Sequence, residues 1–247
     1  MINASDTDAA ARRGAFASMI AHELRTPLTT AYGALEMMSR AGVTSEPADS
    51  RTSLLLDLAH RSTHRLLRIV EDCLDLEADS DNRLILCRED VAPACVAELG
   101  IQGSRDAREQ TGVQVEVRDG SSRVITGDRA RLGRALTHLV QNAVSFAPPG
   151  TQASVTISDD VSRGMTRFAV EDRGAGVDPR LARELFRRFD CREAIGRRRV
   201  GGLGMGLAYV RTIAEAHDGR VGAGLEPGRT TFWFEVPSTD ERTPQPG

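Results

Sequence analysis

A histidine that acts as a nucleophile needs an accessible imidazole, and His22 stands where helical spacing provides one. Phe16, Met19, Ile20, Leu24, Leu28, Tyr32, Leu35 and Met38 recur every three or four positions from Ala9 to about Arg40, which predicts one amphipathic helix. His22 lies two positions from both Ile20 and Leu24, so at about 100° per residue it falls on the opposite, solvent face. An imidazole with an ordinary pKa near ~6.5 is mostly neutral at pH 7 and keeps one lone pair free to attack an electrophile, although an isolated exposed histidine before a proline reads more simply as helix surface. Glu23, next along, supplies a carboxylate that can take the proton on the other ring nitrogen as the ring turns cationic. Thr26 is four residues on and shares the face of His22. Pro27 removes the hydrogen bond that the carbonyl of Glu23 would otherwise accept, which predicts a bend. Taken singly, Glu23 and Thr26 read equally well as solvated helix residues.

The element that carries His22 needs a partner. A second stretch from about Arg51 to Ala78 has Leu55, Leu58, Leu66, Ile69, Val70, Cys73 and Leu76 at helical period, and AGVTSEPADS between the two stretches has the residues of a loop. Two long helices cannot bury their stripes in a lone hairpin. Pairing two hairpins into a four-helix bundle can, so a homodimer is expected. On the second helix His60 and His64 have a metal-compatible spacing but no acidic or cysteine partner, and they read as hairpin surface. His217 reads as structural.

From Leu84 onward short apolar runs alternate with helical periods, which predicts an α/β sandwich. The predicted strands are Leu84–Cys87, Val113–Arg118, Val124–Thr126, Ala153–Asp159, Thr166–Glu171, Arg220–Gly224 and Thr230–Val236. The predicted helices are Ala92–Thr111, Arg129–Ala147, Asp178–Phe186 and Leu203–His217. The expected organisation of the 247 residues is a polar tail 1–10, a hairpin 11–80, a second domain 84–237 and a polar tail 238–247. A net charge of −3 argues against generic affinity for nucleic acid. No apolar run approaches the ~20 residues that cross a bilayer, and Met1–Arg13 lacks the apolar stretch of a signal peptide. The cysteines Cys73, Cys87, Cys95 and Cys191 show no CxxC spacing and read as buried free thiols in a reducing compartment. A cytoplasmic location is therefore expected.

Two sets of motifs carry a resemblance. AHELRTPL, residues 21–28, resembles the phosphoacceptor box of histidine kinases, and RLLRIVEDCLDLE resembles its usual partner on the second helix. In the second domain there is no GxxxxGK[ST], and GGLGMG at 201–206 does not satisfy GxGxxG after a strand. HLVQNAVSF at 138–146, VEDRGAG at 170–176 and GGLGMGLAYV from 201 together resemble the asparagine box and two glycine boxes of another ATPase fold. That fold, the Bergerat or GHKL type, is shared by histidine kinases, a class of heat-shock chaperones, type II topoisomerases and mismatch-repair ATPases. LFRRFD at 185–190 resembles its phenylalanine box, in which Phe186 and Phe189 anchor a lid or serve as ordinary core.

The resemblance implies ATP and Mg2+ as cofactors, with His138, Asn142, Asp172, Gly174, Gly176, Phe189, Gly202, Gly204, Gly206 and Leu207 at the nucleotide. Asn142 offers an uncharged hard oxygen of the kind magnesium prefers. Asp172 can accept from the exocyclic amine of adenine, where guanine has a carbonyl. Gly174 and Gly176 let the backbone turn closely, as in any tight turn. Gly202, Gly204 and Gly206 precede a helix whose free amides and dipole suit phosphate, and they also fit a flexible linker. Arg192, Arg197, Arg198 and Arg199 fit triphosphate contacts and a solvated basic loop equally. The implied function is ATP-dependent phosphorylation of His22 and transfer to an aspartate of a response regulator, with Thr26 positioning water for dephosphorylation of that regulator. The alternative is a dimeric scaffold or phosphatase with weak kinase activity. Departures from the family pattern are Ser145 where a basic residue is frequent, His138 where asparagine is common, and Asp190-Cys191 after the phenylalanine box. They bear on rate and lid geometry.

Overall fold

The computed structural model describes residues 4–41, 50–80, 83–148, 150–174, 176–177, 185–186 and 205–240, without the side chains of 4–19, 22, 40–41, 50–51 and 80. It divides into two units, Met1–Ala78 and Asp79–Gly247.

The first unit is built on α1 (Ala4–Ala41) and α2 (Ser50–Ser80). Rich in alanine and other strong helix formers, α1 continues through Pro27 to its end, so the lost hydrogen bond does not terminate it. Small side chains are turned inward: Ala31, Ala34, Ala59 and Ser62 are buried, together with Ile69 and Leu76. The predicted stripe of α2 turns inward at Leu55, Leu58, Leu66, Ile69, Cys73 and Leu76, which are buried or half-buried, with Val70 exposed. On α1, Leu28, Tyr32 and Leu35 of the predicted stripe are 58%, 67% and 54% exposed, and on α2 Leu56, Leu67 and Leu74, outside the predicted stripe, are exposed as well. The physical reason is spacing. Small residues let two helices approach closely, and the larger ones are left facing outward in a single copy.

The second unit is a sheet packed on one face by helices. Its strands are β1 (Glu89–Val91), β2 (Gln114–Asp119), β3 (Arg123–Gly127), β4 (Gln152–Asp160), β5 (Met165–Asp172), β6 (Arg220–Glu226) and β7 (Arg229–Asp240). Their order is β1-β3-β7-β5-β4-β2, with β6 also paired to β7. β7 is long enough to be shared: residues 229–235 pair with β6, and Ser238–Asp240 pair with β3. All pairings are antiparallel except β2 with β4. The helices are α3 (Pro93–Gly103), α4 (Arg105–Thr111), α5 (Arg129–Phe146) and α6 (Gly206–Ala216). Alternation along the strands sets the core. Val155, Ile157, Phe168, Val170, Phe232, Phe234 and Val236 are buried with Leu132, Leu136, Leu139 and Val140 of α5 and Tyr209 and Ile213 of α6.

Two expected elements differ, and the predicted helix Asp178–Phe186 lies outside the described residues except for 185–186. Leu84–Cys87 is not a strand, because its backbone groups bond side chains instead of a ladder. The Cys87 amide donates to Asp128 Oδ2 at 3.1 Å, and Arg131 donates to the Ile85 carbonyl at 3.1 Å. The predicted helix Ala92–Thr111 is broken at Ser104, which is fully buried and donates its hydroxyl to the Ile101 carbonyl at 2.9 Å, offering the backbone a local alternative to the helix. The cysteine reading also changes. Cys87 is exposed, Cys73 and Cys95 are half-buried, all three are free, and Cys191 lies outside the described residues.

His217 is structural, as expected. It is 1% exposed, its Nδ1 meets the Ile213 carbonyl at 2.7 Å, and its Nε2 accepts from the Asp128 amide at 2.9 Å. Burial holds it below the ordinary histidine range, so it is the neutral Nδ1–H tautomer. Asp128 in turn caps α5 by accepting from the Arg131 amide at 3.1 Å.

The other face of the sheet holds a buried carboxylate. Glu235 is 0% exposed and accepts from Arg163 at 2.7 Å, from Arg167 at 2.7 Å and from Arg220, while Arg167 also lies 4.1 Å from the ring centre of Trp233. Burial alone would push this carboxyl up, but the arginine hydrogen bonds outweigh it and hold it below the usual range. Its contribution to stability is therefore complete at neutral pH and is lost as pH falls through that depressed value. Glu235→Gln is expected to lower the thermal midpoint by about 5 °C or more at pH 7. The gap should close in acid, as followed by circular dichroism melts across pH.

Candidate functional site

In the first unit the phospho-acceptor segment lies within α1. The side chain of His22 is outside the described residues, although its backbone is helical. Thr26 is exposed, and its carbonyl accepts from the Thr30 hydroxyl at 3.0 Å. Glu23 meets Arg65 of α2, Nη2 to Oε2, at 3.5 Å, with the Glu23 side chain 19% exposed. Sequence reasoning missed Arg65, since 42 residues separate the pair and only the antiparallel return of α2 joins them.

In the second unit α5 presents His138, Asn142 and Phe146, each one turn apart and hence on one face. The two ends of that face touch the two glycine segments. A Cβ added at Gly206 would sit 3.2 Å from His138 Nδ1, and one added at Gly174 would sit 2.8 Å from the Phe146 carbonyl oxygen and 2.7 Å from Asp172 Oδ1. Only glycine fits at 174 without displacing backbone. Gly176 has φ +79°, a left-handed conformation that costs glycine nothing. Half-buried Asn142 lies between these contacts, and Ser145 is half-buried beside it. His138 packs against Tyr209, ring centres 5.1 Å apart.

Asp172 ends β5 and is 3% exposed. Its Oδ1 accepts from the Gly174 amide at 2.7 Å. Burial pushes its pKa up to about 6 against the lowering effect of that amide, and the neighbouring Glu171 raises it further. Glu171 itself is paired with Arg229 at 2.7 Å, a partner from the start of β7 that local spacing could not reveal. α6 begins at Gly206 with no side-chain cap, so its first amides are not occupied by a capping side chain. Leu207 is half-buried in its first turn. Phe186 is 5% exposed and packs edge-on against Phe232 at 5.9 Å, the position of a core residue. Phe189, Gly202, Gly204 and the lid arginines 192 and 197–199 lie outside the described residues.

The residues fit a magnesium nucleotide on two counts. A buried carboxylate with one oxygen spoken for is a hydrogen-bonding group awaiting a donor, and an uncharged amide oxygen stands on the helix face between the glycine contacts. Among the described residues no cluster of three or more His, Cys, Asp or Glu side chains could hold a metal by itself.

Comparison with known proteins gives the class. Residues 12–80 match the His Kinase A (phospho-acceptor) domain, and residues 127–240 match the histidine kinase-, DNA gyrase B- and HSP90-like ATPases. The sensor protein DivL of Caulobacter vibrioides is 33% identical over 231 residues, covering 92% of this chain and 28% of that protein. The sensor histidine kinase WalK of Bacillus subtilis is 26% identical over 231 residues, covering 93% of this chain and 37% of WalK. Full-length ShkA, solved with AMPPNP, is similar in structure with a TM-score of 0.62 and 27% identity over 93% of this chain and 47% of ShkA. The chain belongs to the two-component sensor histidine kinases and carries their catalytic core, a phospho-acceptor hairpin followed by a GHKL-type ATPase domain. It spans 28–47% of the length of these relatives. Among the described residues no helix is long and apolar enough to cross a membrane.

Proposed function

We propose that the chain binds ATP with Mg2+ at the α5–β5–α6 site, phosphorylates His22, and passes the phosphoryl group to an aspartate of a response regulator. The observation that carries the nucleotide half is Asp172, a buried carboxylate at the end of β5 whose Oδ1 accepts from the Gly174 amide. Its other oxygen accepts from the exocyclic amine of adenine, which excludes guanine. His138, Asn142, Gly174, Gly176, Gly206 and Leu207 surround the rest of the nucleotide, and the first amides of α6 receive phosphate. Gly202, Gly204 and Phe189 belong to the same site by their motifs. Magnesium, held by Asn142 and phosphate oxygens, neutralises charge on the triphosphate when bound.

At the hairpin the His22 ring nitrogen forms the bond to phosphorus while the bond from phosphorus to the ADP oxygen breaks. Glu23 accepts the proton from the other ring nitrogen. Thr26 orients water toward the phosphorylated regulator for its dephosphorylation. The working form is a homodimer, supported by the outward-facing Leu28, Tyr32, Leu35, Leu67, Val70 and Leu74, which a second copy would cover. The place of work is the cytoplasm.

The test is incubation of the chain with magnesium ATP labelled on its terminal phosphate. Acid-labile label on the peptide containing His22 is expected. Nucleotide binding without incorporation, together with stimulated dephosphorylation of a regulator, would replace the kinase by the scaffold or phosphatase reading that Ser145 suggests.

A further inference from the structure

On α2, His60 and His64 do more than share a helix face. Their Nε2 atoms lie 3.1 Å apart, and their rings meet edge to face with centroids at 4.4 Å. Both side chains are exposed. The sequence reading as hairpin surface is right about exposure, but it does not explain why two imidazoles converge on one point.

Without a cation the pair is joined by a single N–H···N bond, one ring donating from Nε2 and the other accepting. If the donor ring moves its proton to Nδ1, both Nε2 lone pairs aim at the space between them, with no net proton lost. With metal–nitrogen distances of about 2.0–2.1 Å, a separation of 3.1 Å subtends an angle of about 95–100° at a shared cation. That lies between the right angle of octahedral or square-planar ligands and the tetrahedral angle. The i, i+4 spacing on a helix is also the one that zinc enzymes use to present two histidines to one ion.

We infer that His60 and His64 form a two-point chelate for a late first-row divalent cation such as Ni(II), Cu(II) or Zn(II), with water completing the coordination. The site lies within the first unit and does not depend on phosphorylation of His22. It occupies the turn of α2 immediately before Arg65, the residue that meets Glu23. A bound cation therefore braces one turn of α2 at the level of the phospho-acceptor segment.

Calorimetric titration of the tag-free chain with NiCl2 and with ZnCl2, without nucleotide and in a non-coordinating buffer, tests this. One ion per chain is expected, with affinity lowered about tenfold or more by His60→Ala alone and by His64→Ala alone, because each removes the chelate. The variants change exposed side chains, and their helix content by circular dichroism shows whether they fold. Zinc should also shift the Nε2 resonances of both imidazoles in nitrogen-15 spectra. Absence of binding, equal affinity in wild type and both variants, or a shift confined to other histidines would overturn the proposal.

Discussion

His22→Gln is expected to abolish incorporation of acid-labile phosphate, a loss of about 1,000-fold or more, while leaving ATP affinity unchanged. Glutamine keeps the helix and a polar side chain but has no ring nitrogen whose lone pair can attack phosphorus. The two readouts are separable because the phospho-acceptor helix and the Asp172 site lie in different units of the chain. Glu23→Gln provides the internal comparison. On the proposed mechanism it keeps the nucleophile and removes the proton acceptor, so the rate falls by about 100-fold with nucleotide affinity intact. Arg65 pairs with that carboxylate, so Arg65→Ala should change the rate through Glu23 and have no effect in the Glu23→Gln background. Autoradiography of labelled chain with and without acid treatment reads incorporation, and calorimetry with a non-hydrolysable ATP analogue reads affinity. Full incorporation in His22→Gln would move the acceptor elsewhere.

Asp172→Asn is expected to weaken ATP binding about 10- to 100-fold at pH 7.5, and at the same time to make the nucleotide-free ATPase unit more stable. Both effects come from one placement. Burial raises this carboxyl to about 6, so above that pH the folded protein holds a charge in a site that disfavours it. The native state binds the Asp172 proton more tightly than the unfolded chain does. The contribution of this group to stability therefore grows as pH falls from about 6 toward the ordinary carboxylate range, and is absent above it. Asparagine removes the charge at every pH and still accepts from the Gly174 amide, a gain on the order of 2 kcal/mol at neutral pH. What it gives up is the ionised acceptor for the adenine amine. Wild-type affinity should accordingly decline as pH drops through about 6, whereas that of the variant stays flat. Calorimetry with a non-hydrolysable ATP analogue at pH 5.5 and 7.5, paired with melting curves, measures both. Undiminished binding by Asp172→Asn would remove Asp172 from adenine recognition.

Features set by near neighbours were legible in the sequence. The periods of α1 and α2, the alternation in β4, β5 and β7, and the motif spacings 138–146 and 170–176 all operate within a turn or a strand, and the helices and strands predicted from those periods fall where the structure has them. What was not legible depends on partners far along the chain. Leu84–Cys87 is apolar enough for a strand, and only the arrival of Asp128 and Arg131 gives its backbone other bonds. Glu235 alternates as a strand residue, yet its burial rests on Arg163, Arg167 and Arg220 from other strands and turns. At the site, the types of Asn142 and Asp172 could be read. That the Phe146 carbonyl and His138 bracket Asn142 against Gly174 and Gly206 required the fold.

The Asp128 knot bears on where a working fragment of this protein can begin. The ATPase family match opens at residue 127, but Asp128 holds the Cys87 amide, Arg131 holds the Ile85 carbonyl, and Arg88 reaches the Ala216 carbonyl at 3.0 Å. α3 adds Val96, Ala97 and Gly100, the last seated against Leu136. A piece cut at the family boundary would leave the back of α5 bare to water. A piece cut just after Ala78 is the longer of the two and keeps every one of these ties.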